Sequence, residues 1–289
     1  MTRHIIQISA LTIAVIVFIF YPFLPGTYDS AALGLSTAVQ LFEVVGLLLV
    51  PLGFAWMFYE VRKQARRKKN LPSKSRGYRF ALSALIIVSI LLVPVSLLIL
   101  FGIGISFDTL TLALWFFSIL RLRSKLRALK ETEGEGFNPA PLYLIFIPLI
   151  VLVAQILLAR PATEFSRNYV IAHSAELIDD IEQYHTTYGK YPEALQAVWK
   201  DYYPDVVGIE KFHYVPYADA YNLYFEQPRL FFDIFGTREF VVYNPSDEHL
   251  MLSHTSWFML LTPQELEENQ GWYEFHDASS PHWKYFWFD

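Results

Sequence analysis

Up to Ala159 the chain alternates long apolar runs with short polar connectors, and beyond Arg160 the pattern changes to mixed polar and apolar positions. The apolar runs are Ile5 to Leu24, Ala32 to Phe58, Phe80 to Gly102, Gly104 to Leu120 and Leu142 to Ala159. A bilayer core needs about 20 apolar residues per helix, so these runs predict five transmembrane helices. The fourth carries Asp108 near its start, which places that carboxylate at an interface. The first run is longer than a signal-peptide core and ends in Tyr-Pro-Phe-Leu-Pro without a small-x-small cleavage site, so it reads as a retained helix. Pro94 predicts a kink in the third span, its released carbonyl satisfied by a neighbour such as Ser89.

After Arg160, Val170, Leu177, Ile181, Tyr184 and Tyr188 recur at helical spacing and form one apolar face. Glu176, Asp179, Asp180, Glu182 and Gln183 occupy the other. Gly189 supplies a left-handed stop within a residue or two of the helix end, and Pro192 opens a short helix through Leu195 and Val198. Strand patterns follow at 211–217 and 221–227 around Asp219, then at 238–244 and 249–253 around "PSDE", predicting two hairpins. Thr262-Pro263-Gln264-Glu265 reads as a capping box starting a brief helix that Gly271 stops. The tail "HWKYFWF" reads as a last strand or as an aromatic cover on the sheet. The predicted fold class is therefore a membrane α-helical bundle of five transmembrane helices, residues 1–159, followed by an α+β domain, residues 160–289. In that domain a long helix packs on an antiparallel sheet.

Charge sharpens the division. Residues 1–159 hold 15 Lys and Arg against 7 Asp and Glu, whereas residues 160–289 hold 8 against 21. All 15 cations of the first part lie in the N-terminus, the connector 60–79 or the connector after the fourth span, and the connectors around Tyr28 and Phe107 hold none. Because Lys and Arg accumulate on the cytoplasmic side, this distribution predicts a cytoplasmic N-terminus, five crossings and an acidic C-terminal domain outside. The expected location is a bacterial cytoplasmic (inner) membrane with the domain in the periplasm. The basic connectors are topology determinants in this reading, and no nucleic-acid partner is expected. Membrane lipid is.

The segment "SAELIDDIEQYHTTYGKYPEALQAVWKDYYP", followed by "FHYVPYADAYNLYFEQ", resembles the head of type IV pilins and of the major pseudopilins of type II secretion. The resemblance implies a hydrophobic helix running into an amphipathic half, then an aromatic, a Gly, a Tyr-Pro, a short helix and a small antiparallel sheet. It covers the chain from the fifth span onward. Gly136-Phe137 stands where the family has its cleaved junction, but Pro141 occupies the place of the assembly glutamate, and four further spans come first. These departures imply a pilin-like head fixed to a membrane anchor instead of a filament subunit.

Candidate chemistry is sparse. The absence of cysteine excludes thiolate metal sites, thiol nucleophiles and disulfides, and no HExxH, GxSxG or Gly-rich phosphate loop is present. Glu43, with Gln40 one helical step before it, is an intramembrane carboxylate, readable as an ion or proton relay or as a packing hydrogen bond. His276, Asp277 and His282 have the side chains for a divalent metal, and the alternative is an ordinary surface loop. Trp272, Tyr273, Trp283, Tyr285 and Trp287 form either a partner-binding aromatic patch or the core of a domain without disulfides. No cofactor is expected. The function these features point to is a non-enzymatic membrane protein displaying a protein-binding periplasmic domain, in envelope assembly or secretion or as an immunity protein against a toxin. The alternative is a small transporter or ion-coupled subunit using Glu43.

Overall fold

The computed structural model describes residues 2–70, 77–102, 104–131, 136–198, 201–217, 219–233, 238–247, 249–252, 258–260 and 274–288. The chain divides into two units, Met1–Ile19 with Thr37–Leu157, and Phe20–Ser36 with Leu158–Asp289.

The first unit is helical. Its helices are α1 (Thr2–Phe20), α2 (Ala32–Lys68), α3 (Gly77–Gly102), α4 (Ile105–Glu131) and the first part of α5 (Ala140–His173). Four of them, α1, α2, α3 and α5, are long and apolar enough to cross a membrane, and α4 carries a shorter apolar stretch, Thr111–Leu122. Ile6, Ile90 and Ile156 are among the large apolar side chains left exposed on these four helices, as lipid-facing positions require. Helix α2 runs beyond its apolar stretch, so that Arg66, Arg67 and Lys68 lie in its last turn, where cations favour the negative end of the helix dipole.

Small residues set the packing of α2 on α5. A Cβ at Gly46 would stand 3.3 Å from Pro148, and one at Gly53 would stand 2.8 Å from Ile145. Glycine at these two positions lets the backbones approach closely. Trp56 and Tyr59 of α2 meet Phe80 of α3 at ring-centroid distances of 5.7 and 5.6 Å, and α3 packs along α4. The α1 and α5 helices are joined through Tyr143, whose hydroxyl donates to Gln7 Oε1 at 2.7 Å and lies 2.9 Å from His4 Nδ1. Pro94 is inside α3 as expected. The Ser89 hydroxyl, however, donates to Leu85 O at 2.7 Å, one turn back in its own helix, and so serves a carbonyl other than the one Pro94 releases.

The second unit is built on the end of α5 and on α6 (Ala175–Tyr188). Ser174 interrupts the two, its hydroxyl donating to Ile171 O at 2.7 Å. Helix α6 ends at Gly189, which is left-handed at φ 70° and donates its N–H to His185 O. That is the glycine stop the sequence predicts. Leu177 and Ile181 are fully buried, but Tyr188 is 64% exposed, so the apolar face stops one turn before the helix does. The short helix after Pro192 is a single 3₁₀ turn, Leu195–Val198.

Five antiparallel strands form the sheet in the order β1-β2-β3-β7-β6. They are β1 (His213–Tyr217), β2 (Ala220–Gln227), β3 (Arg238–Tyr243), β6 (Glu274–Asp277) and β7 (Trp283–Phe288). The first predicted hairpin is present, with His213 opposite Tyr224 and Tyr217 opposite Ala220. The second is not. Strand β3 pairs with β2 and β7, while β4 (Leu250–Leu252) pairs with β5 (Phe258–Leu260) in a separate ribbon. The reason is ladder length: β7 matches all of β3, from Arg238 opposite Phe288 to Tyr243 opposite Trp283, whereas β4 offers only three residues. The aromatic tail is thus an interior strand. The predicted capping box and Gly271 lie outside the described residues.

One sheet face packs Tyr221, Leu223, Phe225, Val241 and Trp283 against Val170, Leu177 and Ile181 of the helices. The other face is buried too: Asn222, Tyr224, Phe240, Val242 and Phe286 are all covered, and His249 lies against the Phe286 ring. Burial of every β2 position from Ala220 to Phe225 erases the in-out alternation expected of a one-sided sheet.

The segment Phe20–Ser36, which hydropathy alone treats as a connector between spans, belongs to this second unit. Gly208 and Val207 donate backbone N–H groups to Pro22 O and Leu24 O at 2.8 and 2.9 Å. In return, Gly26 and Asp29 donate to Asp205 O and Val207 O at the same two distances. Phe23, Val206 and Ile209 are buried along this clasp. Gly208 is required there, since a Cβ would sit 2.7 Å from Pro22 O.

Candidate functional site

In the second unit a polar network forms where the α5 stem meets the sheet. Arg167 lies at an inward position of α5, one turn before Val170 and Ile171, and Glu239 lies at an inward position of β3, two residues before Val241. Folding brings them together. The Arg167 guanidinium donates through Nε and Nη2 to Glu239 Oε1 at 3.0 and 2.6 Å, with side chains only 8% and 0% exposed. Trp287 donates its indole N–H to Glu239 Oε2 at 2.8 Å, and Arg229 Nε stands 3.8 Å from the same oxygen. Tyr285 lies under the Arg167 guanidinium at 3.7 Å and Trp287 under that of Arg229 at 4.6 Å. Alongside, Gln227 donates to Ser166 Oγ at 2.5 Å. Two cations, two aromatic faces and an indole donor thus surround one buried carboxylate, which compensates its desolvation.

A second polar group sits at the neck. Glu182 accepts from Tyr191 at 3.3 Å, Asp180 accepts from Tyr202, and Tyr214 donates to Pro192 O at 2.8 Å. Asp180 and Glu182 thus serve as acceptors for the chain that folds back over α6, while Glu176 and Asp179 stay exposed. Burial, with the Glu182 carboxylate adding to it, pushes the Tyr191 phenol up to about 12. Burial likewise raises Tyr214, Tyr221 and Tyr243. These hydroxyls stay protonated throughout the physiological range.

Of the residues singled out in the sequence, Trp283 packs in the core between Phe225 and Tyr243. It is therefore a core residue, not a member of an exposed patch. Tyr285 and Trp287 are half-buried and flank the Arg167–Glu239 pair. Trp272 and Tyr273 lie outside the described residues. His276, Asp277 and His282 sit at the β6–β7 hairpin but turn to different partners. His276 stacks on Tyr285 and lies tilted against Trp287, Asp277 lies 3.6 Å from Lys284 Nζ, and His282 Nδ1 lies 3.3 Å from Asp247. Among the described residues, no group of three or more His, Asp or Glu is placed to hold a metal. In the first unit, Gln40 and Glu43 are both buried by protein, Glu43 to 8% exposure, and Glu43 Oε1 has no hydrogen-bond partner.

Arg167, Arg229 and Glu239 escaped the sequence reading. The available signal was a charged residue at an inward position of each apolar pattern, Arg167 on the α5 face and Glu239 within the alternation of β3. With four helices long and apolar enough to span a bilayer, this is a multi-pass membrane protein. No protein-family model, curated protein or solved structure matches the chain.

Proposed function

We propose that the chain is a non-enzymatic anchor that crosses a bacterial cytoplasmic membrane five times and holds its acidic C-terminal unit outside as a protein-binding, pilin-like head. The observation that carries this reading is the clasp between 22–29 and 205–209. Two segments that are hydrogen-bonded to each other lie on the same side of the membrane. An even number of crossings must then separate Ser36 from Leu158, and α2, α3, α4 and α5 supply four. Without α4 the number is odd. The clasped segment contains no Lys or Arg, which supports the outer side.

The amphipathic α6, its left-handed Gly189 stop and the antiparallel sheet beneath it support the pilin-like reading. The clasp favours permanent display over release into a filament, because the head is tied down at two places in the chain. The net charge of the C-terminal part favours a basic protein partner, in an envelope assembly or as a toxin held in check.

Cysteine labelling tests the reading, because the natural chain has no cysteine to remove. In intact spheroplasts, Thr27→Cys and Ser279→Cys should react with a membrane-impermeant maleimide, while Ser73→Cys and Thr132→Cys should react only after permeabilisation. Reaction of Thr132→Cys from outside would remove α4 from the spans. For partner binding, a photo-crosslinking side chain at Tyr188 in the full-length protein should form one discrete adduct in living cells. Its absence there, with the head correctly exported, would count against a binding head.

A further inference from the structure

We propose that Glu43, with Gln40 and Gln155 beside it, forms a proton-binding site inside the membrane unit. Protein covers Glu43 to 8% exposure, so the carboxyl faces the helix bundle, with Oε1 fully buried. Close packing of Gly46 on Pro148 and of Gly53 on Ile145 sets α2 and α5 antiparallel. Continuing that register by about two turns brings Gln155 level with Gln40 and within a turn of Glu43. Gln155 shares the helical face of Val151 and Pro148, and it is buried like Gln40. Thr12, on the buried face of α1 with Ile8 and Ile19, adds a further hydroxyl whose oxygen has no hydrogen-bond partner.

The charges around this site are few. Helix α1 has no ionisable side chain from Ile5 to Phe20, and α3 has none from Phe80 to Phe101. In α5 only Tyr143 falls between Leu142 and Ala159, at the level of Gly53 and engaged with His4 and Gln7. Within α2, Tyr59, Glu60 and Lys63 begin more than four turns away, and Lys63 is paired with Glu60 at 3.5 Å. In α4, Asp108 and Arg121 bracket the apolar stretch. Among the described residues no cation pairs with Glu43, Arg160 of α5 being paired with Glu164 at 2.7 Å, whereas the neutral acid needs only one acceptor. Amide side chains suit both states. Their carbonyl oxygen accepts from the acid, and their NH₂ donates to the carboxylate. Gaining and losing one proton therefore requires no other ion.

The test uses the wild-type, full-length protein in liposomes, treated with the hydrophobic reagent dicyclohexylcarbodiimide and read by peptide mass spectrometry. A protonated carboxyl within the bilayer reacts, so an adduct on Glu43 is expected, with a labelling rate that falls about tenfold per pH unit once the site deprotonates. A water-soluble carbodiimide should leave Glu43 unmodified. Gln155→Leu should keep the adduct but move the pH at which labelling falls. No adduct at acid pH, labelling independent of pH, or equal labelling by the water-soluble reagent would overturn the proposal. So would loss of the adduct on adding sodium at fixed pH, which would make the site one for a metal cation.

Discussion

Arg167 and Glu239 show what single side chains contribute here. Each removes the other's charge from an apolar interior, so deleting one leaves the other uncompensated. Arg167→Ala should destabilise the second unit by about 3–5 kcal/mol, read as a lower urea midpoint in the tryptophan fluorescence of the full-length protein. Arg167→Lys should fall between, since an ammonium cannot reproduce the two-nitrogen contact. His249 works at the same scale through its buried neutral ring. Burial holds its pKa below the usual histidine value despite the carbonyls of Asp247 and His282 at its two nitrogens. His213 is shifted the same way, by burial first and by Lys211 next. With the folded pKa depressed, their contribution is complete above about pH 6.5 and is lost as pH falls below it, because the unfolded chain binds the protons first. The urea midpoint should therefore drop on acidification from neutral pH, and the drop should be shallower in His249→Phe.

Helices and strands were legible in proportion to how strongly their own pattern determines them. Helix α6 stops at Gly189 because only glycine enters the left-handed conformation cheaply, and that information is local. The pairing of β3 was not local: two strands competed for its free edge, and the longer match, far along the chain, won. The clasp has the same character. Nothing in "YPFLPGTYDS" announces a partner near Val207, although Gly208 is a necessary part of the contact. Gly208→Ala should push Pro22 away at a cost of about 1–3 kcal/mol. Faster proteolytic cleavage between Leu24 and Ser30 in the folded protein is the expected measurement.

For the whole molecule, hydropathy and charge already divide the chain into an apolar, basic part and an acidic α+β part, because lipid and water impose opposite demands on side chains over long stretches. Those demands are properties of each residue and survive without knowledge of its neighbours. The sequence by itself likewise determined the glycine stop and the place of Glu43 within an apolar run. Tertiary structure alone decided that the first interhelical segment belongs to the second unit, and that the aromatic tail is an interior strand. It also decided that Arg167 meets Glu239. Each of these is a pairing between segments distant along the chain, selected by shape, hydrogen-bond count and compensation of buried charge, and such terms exist only once both partners are in place.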